Sequence, residues 1–513
     1  SKSDAARLFV ERAMAVRPDF RLDENNASAV AQLLTLLDGL PLAIELVASR
    51  VRLLPVQAIL DRLDSMMLSG GAVDLPERQR TIEAAIRWSY DLLSEPERLL
   101  FARLSVFAGG GRLEEIEEVC ATGLPISVLD GLATLVDQSL VMSMDGAGDS
   151  RFRMLHVIRQ FAAARLSDFG EEETIRRRHL LAYIGLTEEA SHHFKCGHRN
   201  LWLDRVARDH DNVRAALDWA IGATETDLAR RLSFATWRFW QARGHLHEGR
   251  RRAAAVLSLP DGEPHWRAKA LEAMAGISWW AGIPGTAETY GEALEIHRAG
   301  DDDWELANAL YNHALALVFD ADQPDAAWAE LEEAERLFEE VGDTSGLGDV
   351  EWGRGNVLGL FQGDRESALH HWERSLAYYR KAGNNFGTGW ALFELGGTAL
   401  RIGDADTAWR YLREGLELLS SDEDVSAAVL FIALIGGVAL LLGDEMRAYR
   451  LGGAFHRLRE TSGTDIVSHE TNRVDDLDLD RLEALTGDAR EAYLEGRNMD
   501  FAAAVAYALA GPD

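Results

Sequence analysis

The sequence predicts a mainly α-helical protein: a helical N-terminal segment, a small domain of helices closed by one β-hairpin, and a long helical solenoid. Three observations predict it. Of 513 residues 47% are apolar and 27% charged, the balance of a folded chain, and only 11 are Pro. Apolar positions recur at i, i+3 and i+4 through most of the chain. In the second half a Gly-Asp turn followed by Ala recurs every 40 residues: Gly363-Asp364 with Ala368, Gly403-Asp404 with Ala408, Gly443-Asp444 with Ala448. At roughly 150 residues per domain, the length calls for three or four domains, or two and a repeat array.

Residues 1–70 read as short amphipathic helices. Ala5–Ala15 places Ala6, Phe9 and Val10 on one face. Ser28–Leu37 is a second helix with Ser28 as its expected cap. Gly39-Leu40-Pro41 breaks it, and Leu42–Arg50 starts a third with Pro41 in the first turn, where a missing N–H costs nothing. Pro55 opens a fourth helix, to about Met67, and Ser69-Gly70-Gly71 is a linker.

Residues 75–168 read as a winged helix. Thr81–Leu93 is amphipathic. Ser94-Glu95-Pro96-Glu97 is a helix-start signature for a helix reaching about Phe107. Gly109-Gly110-Gly111 turns the chain, and Leu113–Cys120 and Ile126–Val136 are two further helices. Ser139–Met144 and Arg151–Leu155 are β-like runs around an Asp145-Gly146 hairpin turn. Arg159–Leu166 closes the unit. Residues 169–225 are a helical connector, basic at Arg176-Arg177-Arg178-His179.

From 226 to 457 the repeat dominates. Ala327 and Ala287 extend the Ala series backwards, and Gly396-Gly397 and Gly436-Gly437 are also 40 apart. A fixed period of this length means a solenoid of helix-turn-helix units. Small residues let paired helices approach, and the Gly turns end the first helix of each pair. Val425–Gly443 has no charge over 19 residues, which passes the length test for a membrane span. Its register makes it the first helix of a repeat, between Asp424 and Asp444, so a buried solenoid helix is expected. Residues 458–513 read as a polar stretch and two capping helices.

Several chemistries have no sequence support. The pattern of Gly, four residues, Gly-Lys-Ser/Thr occurs nowhere; Gly109-Gly110-Gly111 continues into Arg112-Leu113 and offers phosphates no Lys. No His-Glu-x-x-His exists, and His245-Leu246-His247 puts its two imidazoles on different sides of a helix. His192-His193 and His370-His371 lack further ligands, so no metal site is expected. Cys120 and Cys196 form no framework, which suits the cytoplasm. Residues 1–20 have no apolar leader run. Net charge is −31, with 53 basic residues against 84 acidic, so the chain repels nucleic acid and anionic membrane unless a basic face exists. The candidate recognition helix, Ile126–Val136, contains no Lys or Arg, whereas phosphate contact needs cations. Eleven of the 14 Trp lie between 226 and 457, including Trp279, Trp280, Trp352, Trp372, Trp390 and Trp409. Most are expected in the helix-pair core, and some in the concave groove, where aromatics bind a peptide or small ligand. Residues 301–350 carry fifteen Asp/Glu against one Arg, a solvated face or a dock for a basic partner.

Asp38-Gly39-Leu40-Pro41-Leu42-Ala43-Ile44-Glu45-Leu46 resembles the GLPL motif of STAND-class signal-transduction ATPases. The bacterial LuxR- and AfsR-type large regulators of that class are matched further on. The matching stretches are Leu75–Ile82, Trp88-Ser89-Tyr90-Asp91-Leu92-Leu93, Leu104–Gly110, Leu135–Val141 and Asp211-Asn212-Val213-Arg214-Ala215-Ala216-Leu217. The resemblance covers essentially the whole chain. It implies a helical GLPL domain plus winged helix followed by an α-solenoid of tetratricopeptide-like helix pairs. In that class a P-loop domain precedes the GLPL domain, so the sequence is expected to be the C-terminal part of a longer protein, or a natural orphan. The resemblance further implies that Pro41 and Leu42 lie at the adenine edge of a nucleotide, in company with a P-loop domain. The class's Met-His-Asp motif aligns with Met154-Leu155-His156, with Arg159 marking the register. Leu155 takes the His place, which puts the nucleotide latch in doubt and leaves His156 as a helix-start or interface residue.

The expectation is therefore the regulatory and sensor portion of a signalling or transcription-regulatory protein, not an enzyme. Its solenoid binds a protein or small-molecule inducer, and its winged helix relays that state to a nucleotide-binding module upstream or in trans. No cofactor is expected in this chain; ATP or ADP belongs to a longer protein. Direct nucleic-acid or membrane contact by this region is not expected. The alternative is a stand-alone tetratricopeptide scaffold that never meets nucleotide.

Overall fold

The structure is a computed structural model. It describes residues 2–23, 25–37, 54–61, 89–138, 140–145, 150–194, 199–420, 424–465, 481–482 and 484–511, with the single positions 44, 48, 51 and 86. Pro41, Leu42 and their neighbours, the Ser69-Gly70-Gly71 linker, most of Thr81–Leu93, Gly146 and Cys196 lie outside the described residues. The chain forms two compact units: residues 1–183 with 209–216, and 184–208 with 217–513. The expected connector, 169–225, is thus divided between the two.

In the first unit, α1 (Lys2–Val16), α2 (Ala27–Leu36) and α3 (Val56–Asp61) build the N-terminal region. Phe9 packs edge-on against Phe20 at 6.0 Å, both buried. The expected cap Ser28 lies inside α2, and Asn26 holds the cap position. The reason is the preceding turn: the Asp23 carboxylate accepts from the N–H of Asn25 and Asn26, and the cap falls two residues early.

The winged helix follows as α4 (Glu95–Arg103), a 3₁₀ turn, β1 (Gly111–Arg112), α5 (Leu113–Cys120), α6 (Val128–Asp137), β2 (Met142–Asp145), β3 (Ser150–Arg153) and α7 (His156–Asp168). The Glu97 carboxylate accepts from the Ser94 N–H at 2.7 Å, the capping arrangement its spacing predicts. The strands form one antiparallel sheet in the order β1-β3-β2. β1 was not legible in the sequence. Gly111 pairs with Phe152 immediately after Gly110, which sits at φ +77 with the Phe152 carbonyl 2.6 Å from where a Cβ would be. Only Gly permits that approach. The Asp211–Leu217 motif explains itself here. Asn212, fully buried, donates to the Gly110 carbonyl and accepts from the Ala108 N–H, each at 2.8 Å. Arg151 of β3 pairs with Asp209 at 2.7 Å. His179, on α8 (Glu172–His193), is buried beside Phe107 and Asn212, and burial drives its pKa down to about 3.

After α9 (Arg199–Gly222), the second unit stacks helix pairs: α10 (Thr226–Ala242) with α11 (Leu246–Leu257), α12 (Pro264–Trp280) with α13 (Thr286–Arg298), and α14 (Asp303–Phe319) with α15 (Pro324–Val341). Then come α16 (Thr344–Asn356) with α17 (Arg365–Ala382), α18 (Asn385–Arg401) with α19 (Ala405–Ser420), and α20 (Val425–Leu441) with α21 (Glu445–Ser462). The Gly-Asp turn does two things. Gly363, Gly403 and Gly443 adopt φ of +67, +81 and +82 to end the first helix. Asp364, Asp404 and Asp444 then cap the second, accepting from the N–H three residues on. The following Ala368, Ala408 and Ala448 are wholly buried, as is Ala327, and Ala287 nearly so. A Cβ on Gly396 would come within 2.7 Å of Leu412, so the paired helices touch where the small residues predicted.

Val425–Leu441 is a repeat helix in this register and almost entirely buried. Among the described residues no helix is long and apolar enough to cross a membrane. The start of α20 also joins the first pair. The Asp424 carboxylate caps α20, pairs with Arg199 at 2.8 Å and accepts from the Gln241 amide at 3.1 Å, while Ser426 donates to the Gln241 carbonyl. Beyond Ser462, α22 (Gly487–Arg497) and α23 (Phe501–Leu509) pack on the last repeat, where Arg447 donates to the carbonyls of Tyr507 and Ala508.

Candidate ligand-binding site

The first helices of successive pairs turn aromatic side chains toward one another inside the array. Trp279 and Trp280 come from α12, Trp352 from α16, and Phe386 and Trp390 from α18. Trp390 is the hub, with ring centroids 5.6 Å from Trp280, 5.9 Å from Trp352 and 6.4 Å from Trp279, all near edge-to-face. These rings leave a cavity of about 110 Å³, also lined by Trp237, Arg238, Tyr290, Asn308, Tyr311, Asn312, Asp349 and Tyr379. Gly276 and Gly387 line it too. A Cβ at Gly276 would come within 2.7 Å of the Trp237 ring, so this Gly gives the indole its place.

Two charged side chains enter this aromatic space, and they differ. Asp349 is anchored: its carboxylate accepts from the Tyr379 hydroxyl at 2.7 Å. Burial, and then the Asp349 charge, push the hydroxyls of Tyr379 and Tyr311 well above the usual phenol range, so both remain neutral donors. Arg238 has only aromatic partners among the described residues, its guanidinium lying 3.9 Å from the Trp237 centroid and 5.4 Å from that of Phe386. Burial pushes its pKa down, with Asp349 and two tyrosines only partly offsetting this. The site is an aromatic box with one anchored anion and one cation that no described residue meets in an ion pair or hydrogen bond.

A second polar cluster lies between α12, α13 and α14. Glu272, His297 and Glu305 bring ligand-type atoms within 4.8 Å of one another. The Lys269 ammonium sits among them, paired with Glu305 and 3.3 Å from Glu272, and His297 meets Glu272 at 2.9 Å. The lysine supplies the cation that the carboxylates call for, so the cluster reads as a buried ion-pair network.

Of the tryptophans singled out in the sequence, Trp279, Trp280, Trp352 and Trp390 meet at the cavity. Trp372 fills the helix-pair core against Gly355 and Gly359, and Trp409 lies near Gly511. Arg238, Asp349 and Tyr311 escaped sequence reasoning. A single Arg in a chain with 53 basic residues carries no signal until its lack of a partner is visible. His156 opens α7, a helix-start position. The Ile126–Val136 prediction is realised as α6, whose exposed residues Leu129, Asp130, Ala133 and Asp137 include no cation.

Residues 93–167 match the family model of the winged helix-turn-helix domain, and residues 347–421 that of the tetratricopeptide repeat. The chain is a winged-helix, tetratricopeptide-repeat protein. Among its relatives is a protein of Mycobacterium tuberculosis (strain H37Rv) named for an HTH-type transcriptional regulator, 33% identical over 392 residues, covering 66% of this chain and 44% of that protein. An uncharacterized protein of the same organism is 38% identical over 182 residues, covering 34% of this chain and 46% of its own length. The chain spans less than half the length of these relatives. A solved structure, a STAND protein with a tetratricopeptide repeat sensor from Pyrococcus horikoshii, covers 99% of this chain and 68% of its own at 16% identity and a TM-score of 0.49. Aspartyl phosphate phosphatase F of Bacillus subtilis covers 68% and 90% at 17% identity, with a TM-score of 0.38. The resemblance recognised in the sequence is borne out in its winged-helix and repeat regions, and the fold is mainly α as expected.

Proposed function

We propose that this winged-helix, tetratricopeptide-repeat protein is the regulatory and sensor portion of a bacterial signalling or transcription-regulatory protein. The repeat array takes a small inducer into the aromatic cavity, and the winged helix relays the bound state to a nucleotide-binding module outside this chain. The observation that carries the reading is the cavity itself. Five tryptophans and a guanidinium with no ion-pair partner among the described residues, gathered around one cavity, are suited to receive a ligand. ATP or ADP, on this reading, is held by that other module, with Pro41 and Leu42 at its adenine edge. Calorimetry on this chain alone should show weak nucleotide binding or none; micromolar ATP affinity with steady hydrolysis would overturn it.

The sensor reading is tested by a small-molecule thermal-shift screen run in parallel on the wild type and on Asn312→Trp, which fills the cavity. The expected result is one or more compounds that raise the wild-type melting temperature and leave Asn312→Trp unmoved. Hits equally effective on both proteins would place binding elsewhere and favour the scaffold alternative.

The winged-helix match raises a DNA-binding reading. The proposal that this region makes no direct nucleic-acid contact is supported by α6, whose exposed side chains carry Asp130 and Asp137 and no Lys or Arg. On the wing, Arg151 is already paired with Asp209.

A further inference from the structure

We propose that the cavity takes a single-ring aromatic carboxylate, its carboxylate on the Arg238 guanidinium and its ring among Trp279, Trp352 and Trp390. This rests on the reading of the cavity as the sensor site and deepens it to a chemical class. Three observations converge on that class.

The first is charge. Asp349 already accepts from the Tyr379 hydroxyl and acts on Arg238 only through space, whereas the guanidinium meets only ring faces among the described residues. Its N–H donors are left for an acceptor. A guanidinium presents a planar fork that matches a carboxylate with two parallel hydrogen bonds. Against ring faces and only partly exposed, that pair is stronger than on an open surface. The second is shape. Trp352 and Trp279 pack edge-to-face on Trp390 at 5.9 and 6.4 Å, so the three indoles form one aromatic wall against which a flat ring can lie. The third is size. A volume of about 110 Å³, below the roughly 150 Å³ of an apolar cavity that accepts benzene, admits no more than one ring. Asn308 and Asn312 offer amide donors and acceptors at the same wall, suited to a ring hydroxyl or to the carboxylate's outer lone pairs.

The alternative class is an amine, drawn by Asp349 and the indole faces. Arg238 opposes it, because a second cation would enter beside the first with one carboxylate, Asp349, between them.

The test titrates the full chain with benzoate and phenylacetate, with benzyl alcohol and benzylamine as neutral and cationic controls, reading tryptophan fluorescence and melting temperature. The expected result is a saturable response to a carboxylate, at least tenfold weaker for benzyl alcohol and absent for benzylamine. Arg238→Gln should abolish the carboxylate response. It should also leave the ligand-free melting temperature about unchanged, because the partly exposed guanidinium makes no ion pair or hydrogen bond with any described residue. Arg238→Lys should keep some of the affinity. A merely structural arginine would give the opposite pair, a fall in melting temperature with carboxylate binding retained. The proposal is overturned if neither carboxylate binds, if a control binds as tightly, or if Arg238→Gln binds carboxylate as the wild type does. A control that binds wild type but not Asn312→Trp sinks the carboxylate class and leaves the sensor reading standing. Binding that persists in Asn312→Trp sinks both.

Discussion

His179 shows how much one buried side chain can set. Its imidazole has lost water on every side, and its pKa falls to about 3 because burial penalises the cation, with Asn212 only partly compensating. In the unfolded chain it titrates near 6.5. The unfolded state therefore binds more protons between those values, and stability rises with pH through that window. Above pH 6.5 the contribution is fully present; it is lost as pH falls toward 3. We expect hydrogen-exchange protection in α4 and α5 to weaken between pH 6.5 and 4, and His179→Gln to flatten that dependence. An unchanged slope in the variant would place the titrating group elsewhere. Ala408 is the counterpart in the array. It has no exposed surface and follows the Gly403-Asp404 turn. Ala408→Glu must bury an unpaired carboxylate or force the paired helices apart, at a cost of several kcal/mol. The expected outcome is new protease cleavage around 386–420 with the winged helix intact, because loss in a repeat array falls on one unit and its neighbours. Unchanged melting and proteolysis would mean that Ala408 does not sit at a helix crossing.

Among the elements, the repeat helices owe their ends to two series of residues. The Gly-Asp turns between paired helices were legible at a spacing of 40, because a left-handed residue followed by a cap leaves a compositional mark. The second series, Asp302, Asp343, Asn384 and Asp424, caps the first helix of each of the last four pairs, each accepting from an N–H three residues on. It has nearly the same period, but a glycine precedes only Asp343 and Asn384, so it leaves no uniform mark in the sequence. Asp424 does more than its fellows. It caps α20 while paired with Arg199, both side chains at 2% exposure or less. Asp424→Ala removes the cap, the Gln241 bond and the partner of a buried cation together. The expected loss is about 3–5 kcal/mol, read as a fall in the urea midpoint of the array. Arg199→Met combined with Asp424→Leu should lose less than Asp424→Ala, since no charge is then stranded. Equal losses would show that the pair contributes nothing beyond packing.

For the whole molecule the governing quantity is charge. Net charge of −31 is spread through both the winged helix and the array, and residues 76–168 carry 10 Arg/Lys against 14 Asp/Glu. Counterion release, a large source of DNA affinity, needs clustered cations; α6 carries none, and of the two on β3 Arg151 is paired with Asp209. The protein should give no sequence-specific retention of duplex at moderate salt in a gel-shift assay. A footprint that disappears when Arg151 and Arg153 are replaced would reverse this, and would make the wing rather than α6 the reading element.

Much of this protein was determined by the sequence itself, and for a local reason. Helix ends, the hairpin and the 40-residue period depend on contacts within a few residues, so Ser94 with Glu97, the Gly-Asp turns and the buried Ala series were all legible. The register also separated Val425–Leu441 from a membrane span, which apolar content alone does not. Three things were decided only by the tertiary structure. β1 exists because Phe152, 41 residues on, pairs with Gly111 while the preceding Gly110 tolerates its carbonyl. Asn212 matters because Gly110, 102 residues back, needs a donor. The cavity needs Trp279, Trp352, Trp390 and Arg238 to converge from four different helices. Whether an arginine is paired or a tryptophan faces a void depends on partners far away in the chain. No window of sequence contains that information.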